Sequence, residues 1–145
     1  MTVALHSSLG RELAVATLYD LLRLRVDVFV VEQACAYPEL DGRDTEPGTR
    51  HLWLTAAGVT TGYLRLLDDP DGVVRIGRVV VAPSARGAGV AGRLMAAALA
   101  EAGERPAVLD AQAHLVRLYE RHGFAVTGPE YLEDGIPHVP MARPA

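Results

Sequence analysis

At 145 residues, half of them apolar and 22% charged, the chain can bury a single core and is too apolar for wholesale disorder. Its formal charge is −4, with arginine supplying all 14 basic side chains, which leaves no basic footprint for nucleic acid. The lone cysteine, Cys35, excludes an intrachain disulfide and a cysteine-rich metal site, and the sequence shows neither a membrane-length apolar run nor a signal peptide, so a cytoplasmic protein without metal or membrane partner is expected.

Val3–His6 is a short apolar stretch and reads as a first strand. Thr17-x-x-Asp20 fits a capping-box variant. Leu18, Leu21, Leu22, Val26 and Phe29 recur at helical spacing, which predicts a helix from Leu18 toward Val30. From Glu32 to Gly48 the chain is rich in acids and proline, the signature of a long loop. "HLWLTAAGVTTGYLRLL", from His51, predicts two strands turning at Ala57-Gly58. Asp68–Gly72 is a second tight turn. Val73–Ala82 is the most strand-like run, with Gly77 as a natural bulge or close-approach point. The pattern then alternates. An alanine-rich helix covers Val90–Ala102 and ends at Gly103, and Ala107–Asp110 is a short covered strand. Leu115, Leu118, Tyr119 and His122 share a helix face, and Gly123 ends that helix before a strand opening at Phe124. A last strand runs from Ile136 to Met141. No repeat, linker or low-complexity tract divides residues 1–145, so one domain is expected.

The loop "RGAGVAG", Arg86 to Gly92, admits two readings. As Gly87-x-Gly89-x-x-Gly92 it is a dinucleotide fingerprint, with Asp110 as the acid that would meet a ribose. As Arg86-x-x-Gly89-x-Ala91 it is a pyrophosphate loop for coenzyme A. Both set phosphate oxygens against free amides at a helix N-terminus. Against the first, Pro83-Ser84-Ala85-Arg86 separates strand from glycine, the upstream strands read as hairpins, and too little chain follows for a doubly wound half.

Val79 to Met95, "VVVAPSARGAGVAGRLM", resembles the central motif of the GCN5-related N-acetyltransferase (GNAT) superfamily. Leu109 to Phe124, "LDAQAHLVRLYERHGF", resembles its next motif. Leu18–Asp44 and Leu132–Met141 are similar to the ElaA-like branch, so the resemblance spans most of the chain. It implies an α/β fold (α+β by some schemes), with a mixed, mostly antiparallel central sheet, splayed central strands and helices on both faces. It also implies an acetyl-CoA-dependent N-acetyltransferase without metal, acting on a small-molecule or peptide amine; a homodimer would be in keeping with the superfamily.

Residue by residue, the resemblance puts the donor's pantetheine arm on the backbone of Val79, Val80 and Val81. An amide there would serve as an oxyanion donor to the thioester carbonyl. The amides of Gly87, Ala88, Gly89, Val90 and Ala91 would hold the pyrophosphate, with Arg86 adding charge. Gln112 stands where the superfamily often has an asparagine that bonds the arm. Tyr119 matches the tyrosine that meets the departing thiolate, although it could equally fill the core.

For the base, the candidates are Glu32, Asp41, His51, His114 and His138. A lysine-like amine costs about 4 kcal/mol to deprotonate at neutral pH, whereas an α-amine costs under about 1 kcal/mol, so the former demands a base. Glu32, after the apolar run Phe29–Val31, is favoured with Gln33 as a substrate-side residue, burial raising its pKa; His138 follows. His51 and His114 suit structural or exposed roles, and Cys35 is a bystander. The acid-rich loop Glu39–Glu46 would either attract a cationic acceptor or be a solvated surface. Two other functions stay open: a CoA-binding protein without turnover, and a dinucleotide-binding oxidoreductase fragment.

Overall fold

The computed structural model describes residues 2–145. Among them the order is β1 (Val3–Leu9), α1 (Val15–Val26), β2 (Arg50–Ala56), β3 (Val59–Asp68), β4 (Val74–Val81), α2 (Val90–Ala102), β5 (Ala107–Gln112), α3 (Val116–Glu120), β6 (Ala125–Val126), β7 (Tyr131–Glu133) and β8 (Ile136–Arg143). The strands form one sheet in the order β1-β2-β3-β4-β5-β8-β6, with β7 added to β8. The β4–β5 pair is parallel and the other pairs are antiparallel.

Strand alternation divides the core between the two faces of this sheet. Leu52, Leu54, Leu64 and Leu66 cluster with Leu94, Met95 and Ala98 of α2 and with Tyr119 of α3. The intervening Trp53 and Tyr63 cluster with Leu21 of α1 and with Val28. Helices therefore cover both faces, as the period-2 pattern of a two-sided sheet requires. Ala57 and Gly58 both have positive φ (51° and 79°), the two-residue turn whose twist suits β2 and β3. Gly62 is where α2 comes closest to the sheet: a Cβ there would collide with Val90 Cγ1 and lie 3.0 Å from Leu94 Cδ1.

Three local expectations are corrected. The capping box at Thr17 and Asp20 is unused, because α1 starts at Val15 behind Ala14 with no side-chain cap. Leu13, packed against the Leu21–Trp53–Tyr63 cluster, sets the entry of the helix through a tertiary contact. Second, α1 ends at Val26, and residues Asp27–Glu32 wind on as a wider π-type turn, which displaces Glu32 from the position a continuous α-helix would give it. Third, the bulge in β4 lies at Arg78, φ 55°, where Tyr63 pairs with Val80 but Arg65 with Gly77. At Gly77 itself a Cβ would meet only Arg65 Nε, at 4.0 Å. The short strand β7 carries no signal of its own and exists because β8 offers it an edge.

Candidate active site

The central feature is a seam in the sheet. β4 and β5 pair only at Val74–Ala107 and Arg75–Val108. Beyond these residues the strands diverge, β4 running on to Val81 along β3 and β5 to Gln112 along β8. Parallel strands that separate in this way leave backbone groups on their facing edges free to pair with an inserted chain. A cavity of about 810 Å³ fills the gap, lined by Val79, Val80, Val81, Leu109, Gln112 and Tyr119 among others.

At one end of the seam lies the glycine loop. Gly87 and Gly89 have φ of 84° and 75°, with open space where a Cβ would stand. Their glycine requirement is therefore the left-handed backbone rather than close packing. Gly89 is the N-cap of α2 and no side chain caps it, so the first amides of this 13-residue helix point outward unpaired. A second hollow of about 450 Å³ borders this loop, lined by Gly87, Gly89, Val90, Ala91, Arg121 and His122. Ala88 is exposed at the tip. Gly92 has nothing nearer than 4.0 Å from a notional Cβ, so the tight packing that a dinucleotide fingerprint asks of its third glycine is missing here. Asp110, the acid that reading needs, is paired with Arg75 (2.9 Å). With a single parallel strand pair, the sheet is not doubly wound, and the dinucleotide reading fails on topology.

Arg86 leaves the loop to donate from Nε to the Val81 carbonyl (3.3 Å) and from both terminal nitrogens to Glu32 (2.7 and 2.8 Å). The expectation that burial would raise the pKa of Glu32 is overturned. Glu32 is exposed, and its hydrogen bonds from Arg86 hold its carboxyl below the usual carboxylate range. The next residue, Gln33, exchanges two amide hydrogen bonds with Gln112 of β5 (both 3.2 Å). Adjacent residues at the end of the π-type turn, Glu32 and its cap Gln33, thus reach both sides of the seam.

Tyr119 lines the cavity from α3 with 5% of its surface exposed. Its ring meets Phe124 edge-on (6.4 Å, 76°), and desolvation alone pushes its hydroxyl up to about 12. His138 of β8 pairs in register with Gln112 and lines the same cavity. Its Nδ1 is 2.7 Å from the Ile136 carbonyl and its Nε2 is 3.9 Å from a Glu133 carboxylate oxygen. His114 is exposed in the turn before α3. His51 is fully buried, bonded to the Tyr63 hydroxyl (2.6 Å) and the Asp44 carbonyl (3.0 Å), and burial lowers its pKa. Cys35 is buried with its Sγ directed at the Asp134 carbonyl (3.5 Å).

The carboxylates of the acidic loop are held by arginines rather than left open for a cation, although Asp41 and Glu46 keep exposed surface. Arg25 has no exposed surface. It donates to Glu39 (2.7 Å) and, through two nitrogens, to Asp44 (2.6 and 3.2 Å). Arg65 takes Asp41 (2.5 Å) and Asp44 (3.1 Å), while Arg78 takes Glu39 (2.9 Å). The Arg65 hydrogen bond holds Asp41 far below the usual carboxylate range, which removes it as a base. Burial alone would raise Asp44, yet Arg25 and Arg65 keep it low. Charge matching thus turns a chain segment without regular structure into one wall of the cavity. Sequence reasoning missed these arginines, although Arg25 sits at helical spacing between the buried Leu21 and Val28, an apolar stripe a surface arginine would not occupy.

Comparison with known proteins agrees with this architecture. The family model described as an acetyltransferase (GNAT) domain matches residues 19–144. The chain is 54% identical to a UPF0039 protein of Mycobacterium tuberculosis, over 99% of this chain and 95% of that one. It is 42% identical to protein ElaA of Escherichia coli, over 96% and 93% of the two chains. The crystal structure of E. coli ElaA superposes with a TM-score of 0.92, covering 98% of this chain and 99% of that one. That of an acyl-CoA N-acyltransferase from Pseudomonas aeruginosa, 44% identical, does so with 0.93 over the same shares. The chain belongs to the GNAT superfamily, in its ElaA-like branch, and is an acyltransferase.

Proposed function

We propose that the protein transfers an acetyl group from acetyl-CoA to an amine of a small molecule or peptide by direct attack through a tetrahedral intermediate. The observation that carries this reading is the open seam between β4 and β5, which joins the unpaired amides of the glycine loop to the buried hydroxyl of Tyr119. A pyrophosphate accepts hydrogen bonds from amides of Gly87 to Ala91, with the positive end of α2 behind them. Arg86 adds charge once it exchanges Glu32 for phosphate. The pantetheine arm, a chain of amides, pairs with the free edge of Val79–Val81 as an added strand does, and Gln112 faces it from β5. A backbone amide there stabilises charge developing on the thioester oxygen.

The amine nitrogen forms its bond to the carbonyl carbon, and collapse of the intermediate breaks the carbon–sulfur bond. Tyr119 meets the leaving sulfur. With its pKa near 12, full proton transfer to a thiolate of pKa about 8.5 runs roughly 5 kcal/mol uphill. A hydrogen bond that stabilises the thiolate is the role its chemistry favours.

The test is a panel of amines with acetyl-CoA and detection of released thiol, run beside thermal unfolding with acetyl-CoA and with NAD. Acetyl-CoA should raise the melting temperature and NAD should not, and at least one amine should release thiol above background hydrolysis. Stabilisation without thiol release for any amine would instead identify a CoA-binding protein that does not turn over.

A further inference from the structure

We propose that His138 is the base that takes a proton from the acceptor amine, with Glu133 stabilising the imidazolium that results. The inference rests on the acyl-transfer reading above and assigns the group that reading leaves open.

The proton on the ring is placed by its neighbour. The Ile136 carbonyl, 2.7 Å from Nδ1, can only accept, so in the neutral ring Nδ1 carries the hydrogen and Nε2 carries the lone pair. Nε2 in turn is 3.9 Å from Glu133, beyond direct hydrogen bonding, which leaves the lone pair available with a carboxylate beside it.

The ring is also held in place. Tyr131 stacks on it (centroids 6.0 Å, planes 27° apart). Both residues belong to a hairpin whose register pairs Tyr131 with His138 and Glu133 with Ile136. Its turn, Asp134-Gly135, has φ of 51° and 80°, the tight left-handed pair that fixes such a register. The tip is tied to the opposite wall by the Cys35 thiol at the Asp134 carbonyl.

The charged groups around the imidazole leave Glu133 as its close partner. On β7 these are Glu133 and, as a phenol, Tyr131; Asp134 lies in the turn. From β5 the register partner is the neutral Gln112, and Asp110 beyond it is taken by Arg75. Just after the π-type turn the neutral Gln33 bonds Gln112, while Glu32 is occupied by Arg86. Among the carboxylates lining the cavity, Glu32, Asp41 and Asp110 each hold an arginine; Glu133 and Asp134 hold none among the described residues, and of these two Glu133 is the one beside the imidazole. A cationic acceptor entering beside the hairpin therefore meets a carboxylate and an imidazole lone pair together.

The proton balance is complete. An ammonium acceptor gives its first proton to His138 Nε2 and becomes the nucleophile. Of the two protons its nitrogen surrenders before the amide is formed, one passes through His138 to solvent and one ends on the sulfur.

The experiment measures kcat/KM for wild type, His138→Gln, Glu133→Gln and Glu32→Gln. Acceptors are a primary alkylamine that wild type acetylates and hydroxylamine, which is already unprotonated at neutral pH. Acetyl-CoA-induced thermal stabilisation is recorded for each variant. His138→Gln should lose roughly 10²- to 10⁴-fold with the alkylamine and far less with hydroxylamine, with its acetyl-CoA stabilisation intact. Glu133→Gln should show a smaller loss of the same pattern, and Glu32→Gln should show no loss selective for the alkylamine. A His138→Gln variant with the wild-type rate on the alkylamine, an equal loss for both acceptors, or an alkylamine-selective loss in Glu32→Gln would each overturn the assignment. Wild type that releases no thiol with any amine would instead defeat the underlying acyl-transfer reading.

Discussion

Replacing Arg25 by Met tests the buried charge network that holds the acidic loop. The guanidinium has no exposed surface and donates four hydrogen bonds to Glu39 and Asp44, counting the Glu39 carbonyl. A methionine fills much of its volume but takes one cation from each of two buried carboxylates, leaving Glu39 to Arg78 and Asp44 to Arg65. Removing one partner of a buried pair costs about 3–5 kcal/mol. A domain of this length unfolds with an entropy of about 0.3 kcal/mol per kelvin at its midpoint, so the melting temperature should fall by about 10–16 °C. Arg23, two residues away on the opposite side of α1, is the internal control. Its pair with Asp27 spans 3.9 Å between side chains 72% and 61% exposed, which is worth under about 0.5 kcal/mol, so Arg23→Met should lower the midpoint by no more than about 2 °C. Calorimetry of the two variants beside wild type reads the difference directly. Midpoints for R25M and R23M within about 2 °C of each other would refute the claim that a buried charge network pins the loop.

Three further outcomes are expected. Stability should fall in two stages on acidification, because both sets of depressed groups bind more protons when unfolded. His51, kept neutral by burial, costs stability as pH drops below about 6.5. Asp41 and Asp44, held low by Arg65 and Arg25, contribute fully above about pH 4 and lose that contribution as pH falls toward their folded values. Melting temperature from pH 8 to 3 should show both stages, and His51→Gln should remove the first. Gly89→Val should cut acetyl-CoA affinity more than Arg86→Ala, since the valine strains a φ of 75° by about 1–2 kcal/mol or more and disturbs the amide cradle. The exposed arginine must first leave Glu32, and isothermal titration with equal losses would contradict this ordering. Tyr119→Phe should lower kcat with acetyl-CoA binding and melting temperature nearly unchanged, because the deleted hydroxyl makes no hydrogen bond with any described residue; unaltered kcat would remove its role at the sulfur.

Much of the fold was legible from local pattern. The period-2 runs at Leu52–Leu54 and Tyr63–Leu66 and the glycines at 58, 103 and 123 act through nearest neighbours and backbone sterics, and each stands where the pattern placed it. The conformation of the glycine loop was readable for the same reason, its left-handed glycines standing where a helix opens with free amides. Tertiary structure alone decided how side chains from distant segments share their charges. Glu32 turned from a buried base candidate into the exposed partner of Arg86 because the helix before it changes winding and the loop 54 residues later carries the cation. Arg25, Arg65 and Arg78 became the anchors of an irregular wall, and His138 gained its tautomer from a carbonyl two residues back that only the hairpin's geometry brings to its ring. Backbone preference is written in short stretches of sequence, whereas the electrostatics of a site depends on distances between stretches, which exist only once the chain has folded.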